Sequence, residues 1–179
     1  MEYVLLKMDA NIQIEWVKQY GGNQSDPCFG MAINSDGFIY LTGHTLSCTA
    51  NWDTYTLKIS SEGSKIGEAT TGNPRGFDPS FVHDEAWGVA TTPDGGCIVV
   101  AGTGDEYASY RACQNNSCSD QWHVYLIKYN SSGDIEWQNT YSDNNGGDWA
   151  GEDMVYTSNH KIRVAVDDGS FGFLSLISQ

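Results

Sequence analysis

Apolar and polar residues alternate along this chain in short bursts, and turn residues break the bursts at regular intervals. The clearest stretch, Trp122–Val166, resolves into four such bursts: Val124–Tyr129, Ile135–Tyr141, Gly151–Tyr156 and Lys161–Val166. Asn130-Ser-Ser-Gly-Asp134 separates the first two, and Gly133 supplies the positive φ that a tight turn needs. No window sustains a 3.6-residue apolar period, so the pattern predicts strands throughout and no helix.

The same four-strand pattern recurs. Lys7 stands nine residues before Trp16, as Lys128 does before Trp137, and Ile14-Glu15-Trp16 repeats as Ile135-Glu136-Trp137. Asp36-Gly37 and Asp94-Gly95 hold equivalent turns, each a strong hairpin signal. The units read as residues 3–45, 52–104 and 122–168, with 171–178 opening a further unit and 105–121 forming an insertion. Equivalent positions Lys7, Lys58, Lys128 and Ser175 lie 51, 70 and 47 residues apart. Repeats of this length built from four antiparallel strands predict an all-β, propeller-like array of blades. Closed propellers typically use about four to eight blades. Three blades and one strand therefore predict an incomplete propeller or part of a larger assembly. Its partners would be the other blades of a longer chain, or copies of itself covering the open apolar faces.

Ala32-Ile-Asn-Ser-Asp-Gly-Phe-Ile-Tyr-Leu-Thr-Gly-His-Thr45, with the preceding Tyr20-Gly-Gly22, resembles the seven-bladed β-propeller repeat family of bacterial and extracellular proteins. Asp53–Lys58 and Thr92–Thr103 are similar. The resemblance implies the fold and leaves activity open, because propellers host binding, scaffolding and catalysis alike. Lys65–Thr71, which carries Gly67 in place of the repeat tryptophan, departs from the pattern, and so does Asn159-His160.

Charge narrows the partners. A net charge of −14 opposes nucleic acid and anionic membrane surfaces, which demand basic patches. No apolar run is long enough to insert in a bilayer. Met1–Lys7 reads directly as a strand and not as a leader. The sequons at Asn23, Asn115 and Asn130 suit a secreted glycoprotein, so the expected location is extracellular or the cell surface, by way of a longer precursor. Of the five cysteines, Cys113 and Cys118 are placed to staple the insertion, Cys28 and Cys48 form a second candidate pair, and Cys97 sits in an apolar strand as a buried thiol.

Most aromatic and charged positions recur in phase and so read as structural. Trp16 matches Trp137, Trp52 matches Trp122, and Trp87 matches Phe29. The strand lysines recur beside the acids Asp26 and Asp84, which predicts a Lys7–Asp26 and a Lys58–Asp84 pair within the blades. Trp149 alone is out of phase, on the polar stretch 143–149, and is the candidate for contact with a sugar face. Asp143, Asn145 and Asp148 are candidate partners in that site and candidate calcium ligands, calcium being the one cofactor the sequence suggests. The four histidines are dispersed without zinc spacing, and serine- or cysteine-nucleophile motifs are absent. Three functions follow as expectations. The first is a non-catalytic extracellular binding or scaffold module recognising a glycan or protein through its loops. The others are a propeller-fold carbohydrate hydrolase with carboxylates converging on one pocket, and a subunit of a surface filament or coat.

Overall fold

The computed structural model describes residues 2–77, 79–104, 122–142, 149–159 and 161–167, together with the backbone of 171–177. Thirteen strands and no helix make up the described chain. They are β1 (Tyr3–Met8), β2 (Ile14–Tyr20), β3 (Cys28–Ile33), β4 (Ile39–Thr45), β5 (Asp53–Ile59), β6 (Lys65–Thr71) and β7 (His83–Thr91). Then come β8 (Cys97–Gly104), β9 (His123–Tyr129), β10 (Ile135–Tyr141), β11 (Ala150–Tyr156), β12 (Lys161–Asp167) and β13 (Phe171–Ile177).

Short hairpins drive the pairing. Asn34 Oδ1 accepts from the Asp36 and Phe38 amides, and Gly37 closes the turn at φ 82°. The equivalent Gly95 has φ 80°, a conformation that costs a glycine nothing. All pairs are antiparallel and consecutive, giving sheets β1-β2, β3-β4-β5-β6, β7-β8-β9-β10 and β11-β12-β13.

The four-strand period holds, but the sheets do not coincide with the units read from the sequence, 3–45, 52–104 and 122–168. The two four-stranded sheets each join the last two strands of one such unit to the first two of the next, and β11-β12-β13 joins the last two of the third to the strand that follows. The reason lies in the two kinds of connection. Across residues 46–52 the chain turns back so that β5 pairs with β4 along its whole length. Across 21–27 it passes from β2 into a different sheet. A periodic pattern sets the repeat length, and only the connections set where a sheet begins.

The sheets stack face to face in sequence order, and the pleat sends alternate residues into alternate seams. In the first seam Tyr3 and Leu5 of β1 meet Ile39, Leu41, Tyr55, Leu57 and Ile59. In the second, Tyr40 meets Val89, Cys97, Val99, Tyr125, Ile127 and Tyr129. In the third, Ile98, Val100, Val124 and Leu126 meet Met154, Ile162, Val164 and Val166. Strand β8 illustrates the logic: Cys97, Val99 and Ala101 face one seam, Ile98 and Val100 the other. It is therefore buried along its whole length. The inner strands β3, β7 and β11 lie side by side, whereas β2, β6 and β10 form the outer edges.

The expected lysine–aspartate pairs are not formed. Lys7 binds Glu15 at 2.7 Å, and Lys128 binds Asp94 at 2.7 Å and Glu136 at 3.0 Å. Lys58 donates to the Ser131 carbonyl at 2.7 Å and lies over the Phe38 ring. Register explains the difference. Lys58 pairs with Tyr40 and Gly67 at one end of its sheet, whereas Asp53, which pairs with Thr45, marks the other end. Asp26 reaches Thr45 and Asp84 lies beside Asp53, so both acids sit at the end remote from the lysines.

Candidate functional site

The end of the stack that carries Asp26 and Asp84 holds two buried acids, each bonded to a connecting loop. Asp26 is buried; its carboxylate accepts from the Gly22 amide at 2.8 Å, from Ser47 Oγ at 3.2 Å and from Thr45 Oγ1. These bonds tie the connection into β3 to the one leaving β4. Asp84 repeats the device: its Oδ2 accepts from the Asn73 amide at 2.6 Å. Its own amide donates to the Trp52 carbonyl at 2.8 Å. Burial pushes the Asp84 carboxyl up to about 6, and burial also raises that of Asp53 beside it. Asp53 and Asp84 are two neighbouring carboxylates of the kind a hydrolase would need. One oxygen of Asp84 is already committed to a loop amide.

Between these anchors the inner strands carry bulges. The register slips between Cys28 and Gly30, between Ala86 and Gly88, and between Gly151 and Asp153, so the bulged residues are Phe29, Trp87 and Glu152. A bulge re-aims its side chain, and here two of the three are aromatic. Phe29 and Trp87 meet with ring centroids 4.4 Å apart. His44 stacks on Phe29 at 5.0 Å and meets Trp52 edge-on at 4.8 Å. His44 is buried, Phe29 remains 49% exposed, and burial lowers the His44 pKa. His83 Nδ1 faces Glu85 at 3.2 Å on the same strand as Trp87. Glu152 is raised, chiefly by burial and then by Asp167 and Glu85. The arrangement is a half-open aromatic face bordered by acids, a combination suited to an apolar ring that carries hydrogen-bond donors.

Close packing fixes this end. A methyl group on Gly43 would lie 2.0 Å from the Pro27 carbonyl and 2.7 Å from the Tyr3 hydroxyl, so β4 tolerates only glycine there. Residues 15–47 span the outer strand β2, the Asp26 connection, the first bulge and all of β4. That stretch matches the family model SBBP, described as a beta-propeller repeat, over residues 15–47. The chain carries a β-propeller repeat. No curated protein matches it.

The residues singled out from the sequence fall in several places around this propeller repeat. Trp149 is half-buried, packs against the third seam, and donates its amide to the Trp122 carbonyl at 2.8 Å. It thus occupies the backbone place that Asp84 holds one repeat earlier. Asp143, Asn145 and Asp148 lie outside the described residues, as do Asn115, Cys113 and Cys118. Asn23 is exposed on the connection into β3. Asn130 turns inward on its own hairpin, where its Oδ1 accepts from the Ser132 and Asp134 amides. The expected Cys28–Cys48 bridge is not formed. Both are exposed free thiols, Cys28 directed at the Gly30 carbonyl and Cys48 held at φ 65° in its loop. Cys97 is a fully buried thiol, its pKa pushed up to about 12 by that burial. No group of three or more histidine, cysteine or acidic residues suited to a metal occurs among the described residues. The Phe29–His44–Trp87 cluster was missed from sequence because pairing Phe29 with Trp87 in the repeat suggested only equivalence. The bulges that bring equivalent residues into contact leave no mark in the pattern.

Proposed function

We propose that this chain is a scaffold and binding module of the propeller type, whose first sheet takes a further propeller sheet against its open face. One observation carries the reading. Val4, Leu6 and Met8 of β1 and Ile14 and Val17 of β2 are 41–62% exposed, and they share the face turned away from the first seam. Met31 and Ile33 of β3, each more than half exposed, form a separate apolar patch on the first-seam side of their own sheet, in register with Leu41 and Ile39. An apolar surface of this breadth on a sheet face is an interaction site. The three seams of this molecule supply the partner's chemistry, since each covers such a face with alternating apolar side chains of a neighbouring sheet. The donor is either another blade of a longer chain or a second copy. Light scattering across a concentration series tests the second source. Addition of a separately produced propeller sheet tests the first.

A glycan- or protein-recognition role is supported by the half-open Phe29–Trp87 pair beside Glu85 and Glu152. A glycan array probed with the chain and with Trp87→Ala tests it: binding lost in the variant supports a sugar stacked on that face. Binding that survives Trp87→Ala but fails in Trp149→Ala moves recognition to the third seam. An extracellular location would follow from such a ligand and is checked by glycosylation at Asn23 in a secreting host.

A further inference from the structure

The three repeats differ at one place in a way that opens a cavity. Each outer strand turns three side chains toward the next sheet. On β2 they are Trp16, Lys18 and Tyr20, on β10 Trp137, Asn139 and Tyr141, and on β6 only Gly67, Ala69 and Thr71. In the first seam Trp16 and Lys18 cover the β5–β6 turn: a methyl group on Gly63 would lie 3.0 Å from Lys18 Cγ and 3.3 Å from the Trp16 ring. In the second seam the equivalent turn glycine is Gly133, and a methyl group there, or on Gly67, would touch nothing within 4 Å. What remains is a cleft of about 350 Å³ between the rings of Tyr40 and Tyr129, Thr56 and Ala69, floored by the turn 131–134.

The same repeat also lacks a charge. Lys7 stands opposite Trp16 and Lys128 opposite Trp137, and each binds the glutamate that precedes that tryptophan, Glu15 at 2.7 Å and Glu136 at 3.0 Å. Lys58 stands opposite Gly67, and the preceding residue is the exposed Ile66. Lys58 instead turns into the cleft, where its ammonium donates one bond to the Ser131 carbonyl and lies 4.6 Å from the Phe38 ring centroid. No carboxylate pairs with it among the described residues, and an ammonium has three donors.

We propose that the second seam binds a small planar aromatic carboxylate. The ring would fill the slot that the repeat tryptophan fills elsewhere, and the carboxylate would meet Lys58 as Glu15 and Glu136 meet their lysines. The site recovers the missing Glu–Trp pair from solution. The cleft has mixed apolar and polar walls with Lys58 as its cation; of the two acids that line it, Glu68 is bonded to the Tyr55 hydroxyl and Lys65, and Asp134 accepts from the Asn130 amide group. It is separate from the open face of the first sheet, so the two readings stand or fall independently.

Calorimetric titration of the 179-residue chain with indole-3-acetate, indole and tryptamine tests the proposal. Indole-3-acetate should bind about tenfold or more tighter than tryptamine, a difference of roughly 1.4 kcal/mol, with indole between them. Gly67→Trp should abolish binding of all three and raise Tm by filling the slot. Ile66→Glu, at an exposed position, should give Lys58 an internal partner and erase the preference for indole-3-acetate over indole while indole still binds. Equal binding of tryptamine and indole-3-acetate would overturn the assignment, as would binding untouched by Gly67→Trp. Should Gly67→Trp fail to fold, a carboxylate preference that persists in Ile66→Glu and in Lys58→Met overturns it instead.

Discussion

Asp84 couples folding to pH. Its carboxyl titrates near 6 in the folded chain, because burial disfavours its charged form, and near the ordinary carboxylate value of about 4 when unfolded. The folded state therefore binds the proton more tightly. The stability this group contributes is complete below about pH 4 and lost as pH rises through about 6. Asp94 acts in the opposite sense: its bonds with Lys128, Thr92 and the Gly96 amide hold it down at about 2, so its contribution falls away only below about pH 4. Urea unfolding between pH 4.5 and 7.5 combines the Asp84 contribution with the opposite one of His44, whose pKa burial lowers, and Asp84→Asn should remove from the slope the part that declines with rising pH. The amide keeps an acceptor for the Asn73 amide and cannot ionise, so a slope unchanged in the variant would contradict the burial argument. Tyr3 offers a second test at this scale. Its buried hydroxyl donates to the Tyr55 carbonyl at 2.7 Å, and Tyr3→Phe leaves that carbonyl without its donor. A loss of about 1–2 kcal/mol in urea unfolding is expected.

Strand identity was legible in the sequence, because alternation and Asp-Gly turns encode it locally: β3 to β5 and β7 to β9 lie where Asp36-Gly37, Asp94-Gly95 and the lysine strands put them. The grouping of strands into sheets was not legible. It depends on the long connections, and nothing in 21–27 or 46–52 announces that the first leaves its sheet and the second stays. The partners of Lys58 and Asp84 escaped for a related reason. Both recur once per repeat, but register sets them at opposite ends of a strand about 20 Å long. The weak second strand of the second repeat is legible from Gly67, whereas the open space beside Gly67 and Gly133 depends on how the second and third sheets pack. At this scale Asp26 makes the sharpest prediction. Asp26→Ala removes the acceptor of the Gly22 amide and of two hydroxyls, so the connection into β3 should loosen. Amide exchange at Gly22 should accelerate and global stability should fall by about 1–3 kcal/mol. Intact protection at Gly22 would show that the connection is held by packing alone.

At the scale of the molecule, four sheets stack with three seams between them, and among the described residues the outer face of the first sheet is apolar and open. The same alternation that buries Leu5 in the first seam turns Val4 and Leu6 outward. No choice of register hides both sets, so the face exists to be covered. Light scattering on the purified chain, repeated with Val4→Lys and Leu6→Lys combined, is the direct test. The wild-type chain should show a weight-average mass rising with concentration above its 19.6 kDa, and the double variant should return to 19.6 kDa with its β-sheet circular dichroism unchanged. A wild-type chain that stays at 19.6 kDa at every concentration and also fails to bind a separately produced propeller sheet, or a variant that associates as the wild type does, would contradict the account.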